Sequence, residues 1–167
     1  PHLMLKVLQS AEKQGIPVGF IGSTPETLEK LTTNLADRYP NLTIVCRISP
    51  PYKPLSAVED AQISTEIVDS GARILFVGLG CPKQEYWIHQ HRGSIPAVMI
   101  GVGAAFDFFA GTVAQAPAWM QRSGLEWLYR LSREPARLWK RYLYNNPRFA
   151  ILAVIEQIRF LLKRRNG

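Results

Sequence analysis

Three polar side chains of different kinds follow a proline in the middle of the chain. Pro82 predicts the start of a helix, and Lys83, Gln84 and Glu85 then fill its first turn. A lysine neutralises phosphate, a glutamine bonds a sugar hydroxyl, and a glutamate serves as a base or a hydroxyl acceptor. The alternative is a solvated first turn in which Glu85 only complements the helix dipole. The spacing alone leaves both readings open.

One acid lies among aromatic residues later in the chain. Asp107 follows Phe106 and comes soon after Gly101 and Gly103, which close a short apolar run. Phe106 and Asp107 are therefore expected near the end of a strand, where they could contact ribose or sugar hydroxyls. The carboxylate could also act as an acid or base. A helix cap is the alternative use of Asp107.

Glycine turns close three predicted strands. They are Gly22-Ser23-Thr24, Gly78-Leu79-Gly80 and Gly101-Val102-Gly103. In an open α/β sheet ligands bind at the carboxyl ends of the strands. Glycine lets the backbone approach a ligand, and the next helix offers free N–H groups to an anion. Three such turns could hold a nucleotide diphosphate, or they could simply turn the chain, since neither Gly-x-Gly completes the dinucleotide fingerprint.

The other reactive side chains predict less. His89 and His91 are two residues apart, so on a helix they face different directions. No cluster of metal ligands accompanies them, and neither a metal nor another cofactor is expected. Cys46 and Cys81 do not form a disulfide framework, which favours a reducing compartment.

The elements that position these residues alternate between helix and strand. Short apolar runs without alternation are typical of strands buried on both faces of a parallel sheet. The predicted strands are Val18–Ile21, Leu42–Ile48, Arg73–Val77 and Ala97–Ile100. The predicted helices that alternate with these strands are Leu3–Lys13, a segment from Ser23 to about Tyr39, and Val58–Ser70. The pattern predicts an α/β, Rossmann-like fold with a mostly parallel sheet and helices on both faces.

The charge divides the 167 residues into two predicted parts. Residues 1–122 hold ten Lys/Arg and ten Asp/Glu, so this α/β part is neutral. Residues 123–167 hold ten Lys/Arg and three Asp/Glu, so this part carries the whole net charge of +7. A basic tail favours an anionic partner, which could be a membrane surface, nucleic acid or a phosphorylated substrate.

The basic tail is predicted to be helical, with interruptions at Pro135 and Pro147. Arg130, Arg137 and Arg141 fall near one helical face, and arginine forks suit pyrophosphate. A following apolar stretch with a basic end is typical of an interfacial helix, although an ordinary docking helix has the same pattern. No charge-free apolar stretch reaches the roughly 18 residues of a membrane span, and no signal peptide is predicted.

Five linked motifs together resemble the WecG/TagA/CpsF glycosyltransferase family. The motifs match in order and spacing, and the similarity extends over most of the chain. They are Val77-Gly78-Leu79-Gly80-Cys81-Pro82-Lys83-Gln84-Glu85, Gly101-Val102-Gly103-Ala104-Ala105-Phe106-Asp107, Ala116-Pro117-Ala118-Trp119-Met120, Gly124-Leu125-Glu126-Trp127-Leu128-Tyr129-Arg130-Leu131 and Glu134-Pro135.

The resemblance implies an inverting transferase that uses a UDP-sugar of the N-acetylmannosamine type. The implied acceptor is a sugar on a polyprenyl diphosphate, at the cytoplasmic face of the bacterial plasma membrane, and the products feed cell-surface polysaccharides. Carried over by position, Gln84 would lie in the active site and Asp107 near the donor. Arg130, Arg137 and Lys140 or Arg141 would meet the lipid diphosphate.

Members of the family also have a further N-terminal portion, which carries a threonine and the aspartate proposed as the catalytic base. Neither residue maps onto this sequence, so we expect the base to lie outside it. A second hypothesis is a non-catalytic remnant that binds only nucleotide or membrane. A third is an RNA-binding module, although no RNA-binding signature accompanies the charge, so nucleic acid is not the expected partner.

Overall fold

Four parallel strands form the centre of the computed structural model, which describes residues 2–114, 116–133 and 135–136. The strands are β1 (Val18–Gly22), β2 (Ile44–Ile48), β3 (Ile74–Gly78) and β4 (Val98–Gly101). Their order across the sheet is β2-β1-β3-β4, and each neighbouring pair runs parallel. The predicted α/β, Rossmann-like class is therefore confirmed.

Seven helices surround these strands or follow them within the described residues. They are α1 (His2–Gln14), α2 (Pro25–Arg38), α3 (Ala57–Asp69), α4 (Lys83–His91), α5 (Ala105–Phe109), α6 (Ala118–Arg122) and α7 (Glu126–Arg133). The helix predicted from Ser23 is confirmed as α2, which Pro25 opens and which the Thr24 hydroxyl caps by accepting a hydrogen bond from the Thr27 N–H at 3.2 Å. The predicted end of α3 is also confirmed, since Gly71 follows it at a φ of +73°.

The two faces of the sheet carry separate hydrophobic layers. On one face α1, α2 and α5 cover Phe20 and Phe76, whose rings stack with centroids 5.5 Å apart. On the other face α3 and α4 cover Ile21 and Val77. Strand residues that alternate between faces thus reach different layers, which explains why the strands read as continuous apolar runs.

The direction of the connections explains this arrangement. The step from β1 to β2 runs one way along the sheet, and the steps from β2 to β3 and from β3 to β4 run the other way. Right-handed crossovers then place α2 on one face and α3 and α4 on the opposite face. The reversal lies between β1 and β3, which makes the carboxyl ends of these two strands the topological switch point of the sheet.

The chain divides into two compact units, Pro1–Ala114 and Gln115–Gly167. The first contains the sheet and helices α1 to α5, and the second contains α6 and α7. The predicted interruptions at Pro135 and Pro147 stay predictions, since residues 134 and 137–167 lie outside the described part. Among the described helices, none has the length and apolar character that a membrane crossing requires.

Candidate functional site

Two of the predicted glycines meet at the switch point. A Cβ on Gly22 would lie 2.5 Å from the carbonyl carbon and oxygen of Gly78, and Gly22 has a φ of +121°. A Cβ on Gly78 would lie 2.5 Å from the ring of Phe106. These two glycines therefore let the ends of β1 and β3 and the first turn of α5 come together. That is a packing reason for the glycines, and it leaves the backbone of both turns close to the carboxyl edge of the sheet.

The turn after β1 is tied to the loop after β2. Ser23 adopts a φ of +60°, which is uncommon for a residue other than glycine. Its carbonyl accepts a hydrogen bond of 2.7 Å from the Ser49 hydroxyl. The proline-rich loop that starts at Ser49 is thus anchored to the switch point.

Gln84 is buried at the start of α4, whereas Lys83 and Glu85 on either side are exposed. Its Oε1 accepts a hydrogen bond from the Gly103 N–H at 3.1 Å, and its Nε2 donates to Glu85 Oε1 at 3.0 Å. The first turn of α4 is therefore not simply solvated. The amide is held in one orientation, and its nitrogen carries a second hydrogen for a further acceptor.

The turn after β4 is built around this amide. A Cβ on Gly101 would lie 2.9 Å from Gln84 Nε2 and 3.3 Å from its Cδ. A Cβ on Gly103 would lie 3.8 Å from Gln84 Oε1, and Gly103 has a φ of +52°. The structure thus brings together Gln84, Glu85, Gly101 and Gly103, which the sequence predicted as site residues from two separate motifs.

A lysine and a tyrosine stand at the rim of the same edge. Lys83 Nζ lies 5.1 Å from the ring centroid of Tyr52, in cation–π contact, and the Tyr52 side chain is fully exposed. The next residue of the loop, Lys53, forms an ion pair of 2.8 Å with Glu59 in α3. The sequence analysis did not select Tyr52. The signal for it was an aromatic residue in a proline-rich loop directly after a strand.

The helix N-termini at this edge differ in how they are capped. Thr24 caps α2, and Ser56 and Glu59 form a capping box on α3. At α2 a backbone hydrogen bond and the Thr24 hydroxyl lower the pKa of Glu26, so an acid already occupies that helix end. By contrast, the N-cap of α4 is Pro82, which makes no side-chain cap, and the Cys81–Pro82 peptide bond is cis. In the first turn of α4 the Gln84 N–H donates to the Gly80 carbonyl oxygen at 2.9 Å, so the N–H groups that could meet an anion there are those of Lys83 and Glu85.

Asp107 and Phe106 have different surroundings in α5. Asp107 is half-buried and is not the N-cap, which is Ala104, so a cap does not explain it. Its carbonyl accepts hydrogen bonds from Thr112. Phe106 is 1% exposed and packs edge-on against Phe20 at 5.7 Å. Phe106, predicted to contact substrate, is thus a core residue that supports the turn.

The predicted arginines belong to the second unit. Arg130 lies in α7, and Arg137 and Arg141 lie outside the described residues. Their roles stay predictions. Across the described part of the chain, no group of three or more His, Cys, Asp and Glu side chains could hold a metal ion.

Two cavities lie away from this edge. One, lined by residues such as Thr32, Arg47 and Ser70, follows β2 between α2 and α3. The other, lined by residues such as Ile88, Ile95 and Val98, lies beside the amino end of β4. The candidate site at the carboxyl edge is instead a surface of turns on which several polar groups converge.

A Rossmann-like sheet with glycine turns and a fixed amide at its carboxyl edge is an architecture that binds ligands at the topological switch point. The chain belongs to the WecG/TagA/CpsF family of glycosyl transferases, whose family model matches residues 1–163. It is also similar to an N-acetylglucosaminyldiphosphoundecaprenol N-acetyl-beta-D-mannosaminyltransferase of Bacillus subtilis (strain 168), with 33% identity over 153 residues. That alignment covers 91% of this chain and 57% of the relative, so the chain spans little more than half of the relative's length.

Proposed function

We propose that this chain forms the nucleotide-sugar side of a glycosyltransferase that moves an N-acetylmannosamine-type sugar from UDP to a polyprenyl-diphosphate-linked acceptor. Membership of the family supports transferase chemistry, and the name of the Bacillus subtilis relative supports the sugar and the lipid diphosphate. The single observation that carries the proposal is the buried Gln84 amide, oriented by Gly103 and Glu85, whose second N–H meets no acceptor among the described residues.

The donor would lie across the switch point. Its diphosphate would meet the uncapped first turn of α4 and the ammonium of Lys83, and the exposed Tyr52 ring beside Lys83 would face the nucleoside. Gln84 would donate to a sugar hydroxyl or to the oxygen that leaves with UDP. Asp107 would accept from ribose or sugar hydroxyls.

The reaction would be a single displacement with inversion. A general base removes the proton of the acceptor hydroxyl, and that oxygen attacks the anomeric carbon as the bond to the UDP oxygen breaks. The negative charge that develops on UDP is stabilised by Lys83, by the helix N-terminus and by arginines of the basic tail, so no metal is required in this scheme. Because the acceptor is linked to a lipid, the reaction would take place at the inner face of the plasma membrane.

Calorimetry with UDP and UDP-N-acetylmannosamine tests the donor side, beside a transfer assay on a protein that includes the upstream segment. We expect Gln84→Ala to lower transfer by about 10- to 100-fold, because a misplaced donor group costs that order of rate. Gln90→Ala is the matched control, since Gln90 is an exposed glutamine of the same helix. Absence of UDP binding and of transfer by the wild-type protein would reject the proposal.

The same experiment separates the alternative functions. A non-catalytic remnant binds UDP in calorimetry, but the longer protein shows no turnover. An RNA-binding module shows salt-sensitive binding to RNA and no response to UDP-sugars.

A further inference from the structure

One face of α4 carries four residues at helical spacing, and Gln84 is the first of them. Gln84, Trp87, Ile88 and His91 follow each other by three, one and three positions, so they lie on one side of the helix. Gln84, Trp87 and His91 are buried. The setting of this face against the sheet therefore decides where the Gln84 amide lies.

Asp60 of α3 holds the far end of this face with both of its carboxylate oxygens. Oδ1 accepts a hydrogen bond from Trp87 Nε1 at 3.1 Å, and Oδ2 lies 3.0 Å from His91 Nε2. The two partners are one helical turn apart on α4. A single side chain thus fixes both the rotation of α4 and its position along its axis.

His91 is held from both sides of its ring. Its Nδ1 lies 2.7 Å from the Trp87 carbonyl oxygen, and its ring stacks on the Trp87 indole with centroids 4.1 Å apart. Both ring nitrogens thus lie within hydrogen-bond distance of an oxygen, Nδ1 of the Trp87 carbonyl and Nε2 of the Asp60 carboxylate, and the histidine is 6% exposed.

A buried polar group of this kind does more for geometry than for stability. Apolar side chains of the same volume would often stabilise the fold as well, whereas directional hydrogen bonds select one arrangement. A helix with its side chains is about 10–12 Å across, so a rotation of about 20° moves an atom at its edge by about 2 Å. The 3.1 Å bond from Gly103 to Gln84 would not survive such a shift.

We infer that Asp60 is a positioning residue for Gln84, acting through Trp87 and His91 on the setting of α4. This inference rests on the proposed function for its catalytic consequence. The geometric part, from Asp60 to the Gln84–Gly103 hydrogen bond, does not depend on it.

Nuclear magnetic resonance tests the geometric part without any substrate. Asp60→Ala removes both hydrogen bonds, and we expect it to shift the backbone amide signal of Gly103 and the side-chain amide signals of Gln84. Asp60→Asn should restore them, because its oxygen accepts from Trp87 Nε1 and its NH₂ donates to a neutral His91 ring. Asp69→Ala is the matched control, since it removes an exposed carboxylate from the other end of the same helix. Unmoved Gly103 and Gln84 signals in folded Asp60→Ala would overturn the inference.

His91→Leu keeps the test decisive if Asp60→Ala does not fold. Leucine fills much of the space but breaks the link to Asp60, so the same two sets of signals should move. Thermal unfolding confirms that each variant is folded before its spectrum is compared with that of the wild type. A folded His91→Leu variant with wild-type signals for Gln84 and Gly103 would overturn the inference as well.

A double-mutant cycle on transfer by the longer protein tests the catalytic part. We expect Asp60→Ala to lower kcat by about 10- to 100-fold with less effect on KM, and Asp60→Asn to recover most of it. In a Gln84→Ala background the further loss should be under about twofold, since residues that act as a unit are not additive. Full additivity would mean that Asp60 acts only on general stability. If the wild type neither binds UDP nor reacts, the proposed function fails, and the resonance experiment alone decides the positioning claim.

Discussion

At the scale of single residues, the position of the Gln84 amide depends on the absence of a side chain at a neighbouring residue. Gly101 at the end of β4 has no side chain, and the Gln84 amide occupies the space that a side chain there would fill. A Cβ at position 101 would displace atoms at the end of the Gln84 side chain and no backbone atoms. A larger residue at position 101 should therefore disturb the site more than the fold.

Gly101→Ala is expected to lower donor affinity or transfer by about tenfold, with little change in thermal unfolding. Its Cβ would lie 2.9 Å from Gln84 Nε2, so the amide must move away from Gly103. Gly93→Ala is the control, since a Cβ there meets nothing within 4 Å. Equal activity of the two variants in the transfer assay would show that the orientation of Gln84 does not matter.

At the scale of elements, the start of α3 is held by a charge. Glu59 accepts from the Ser56 N–H at 2.8 Å and pairs with Lys53, and the side-chain contact with Lys53, followed by those with Ser56, lowers the pKa of Glu59 from 4.5 to about 2. A carboxyl with a lowered pKa in the folded state stabilises the fold above its ordinary pKa. That contribution is lost as the pH falls from about 4.5 through about 2.

Glu59→Gln should therefore unfold at a lower temperature than the wild type at pH 7, and the difference should shrink between pH 4.5 and pH 2. The effect is expected to be small, because the Lys53 side chain is 61% exposed and that of Glu59 is 34% exposed, so solvent screens the pair. Calorimetric melts across this pH range measure it. Glu29→Gln, on an exposed position of α2, serves as the comparison. A difference that is constant with pH would show that the charge of Glu59 contributes nothing.

Sequence reasoning located the elements better than the contacts between them. Continuous apolar runs predicted all four described strands, and α2 and α3 were predicted close to their observed bounds. The contact between Asp60 and His91 spans 31 residues and two helices, so no local pattern could predict it. The sequence predicted no role for His91, because histidines two residues apart on a helix face different directions. They do, with His91 buried and His89 exposed, and it is the buried one that bonds Asp60.

The Gln84 site shows the same limit. Each motif pointed to the carboxyl edge through a known rule about parallel sheets. The bond between Gln84 and Gly103 depends on how α4 sits against β4, which is set by packing over the whole layer. Tyr52 was not predicted, because an exposed aromatic residue in a loop belongs to no hydrophobic pattern of a helix or strand.

At the scale of the whole molecule, charge and structure divide the chain in nearly the same place. The first unit ends at Ala114, and the net charge of +7 resides in residues 123–167. We expect the combined variant Arg130→Glu and Arg137→Glu to abolish binding to vesicles that contain anionic lipid, and to lower transfer to a lipid acceptor, since each basic residue near such a surface contributes about 1 kcal/mol.

The control for this prediction changes the same charge elsewhere. Arg73→Glu with Arg92→Glu alters two exposed arginines of the first unit by the same total. Sedimentation with vesicles at low and high salt compares the two variants. Retained vesicle binding and transfer by the tail variant would remove the tail arginines from the proposal.

The reversal of strand order between β1 and β3 has one more consequence. The helix that follows β1 belongs to one hydrophobic layer, and the helix that follows β3 belongs to the other. A ligand held at the paired ends of these strands would touch backbone that leads into both layers. The binding energy of the ligand would therefore couple the unfolding of the two layers. With the donor bound, both layers would unfold together in one cooperative transition.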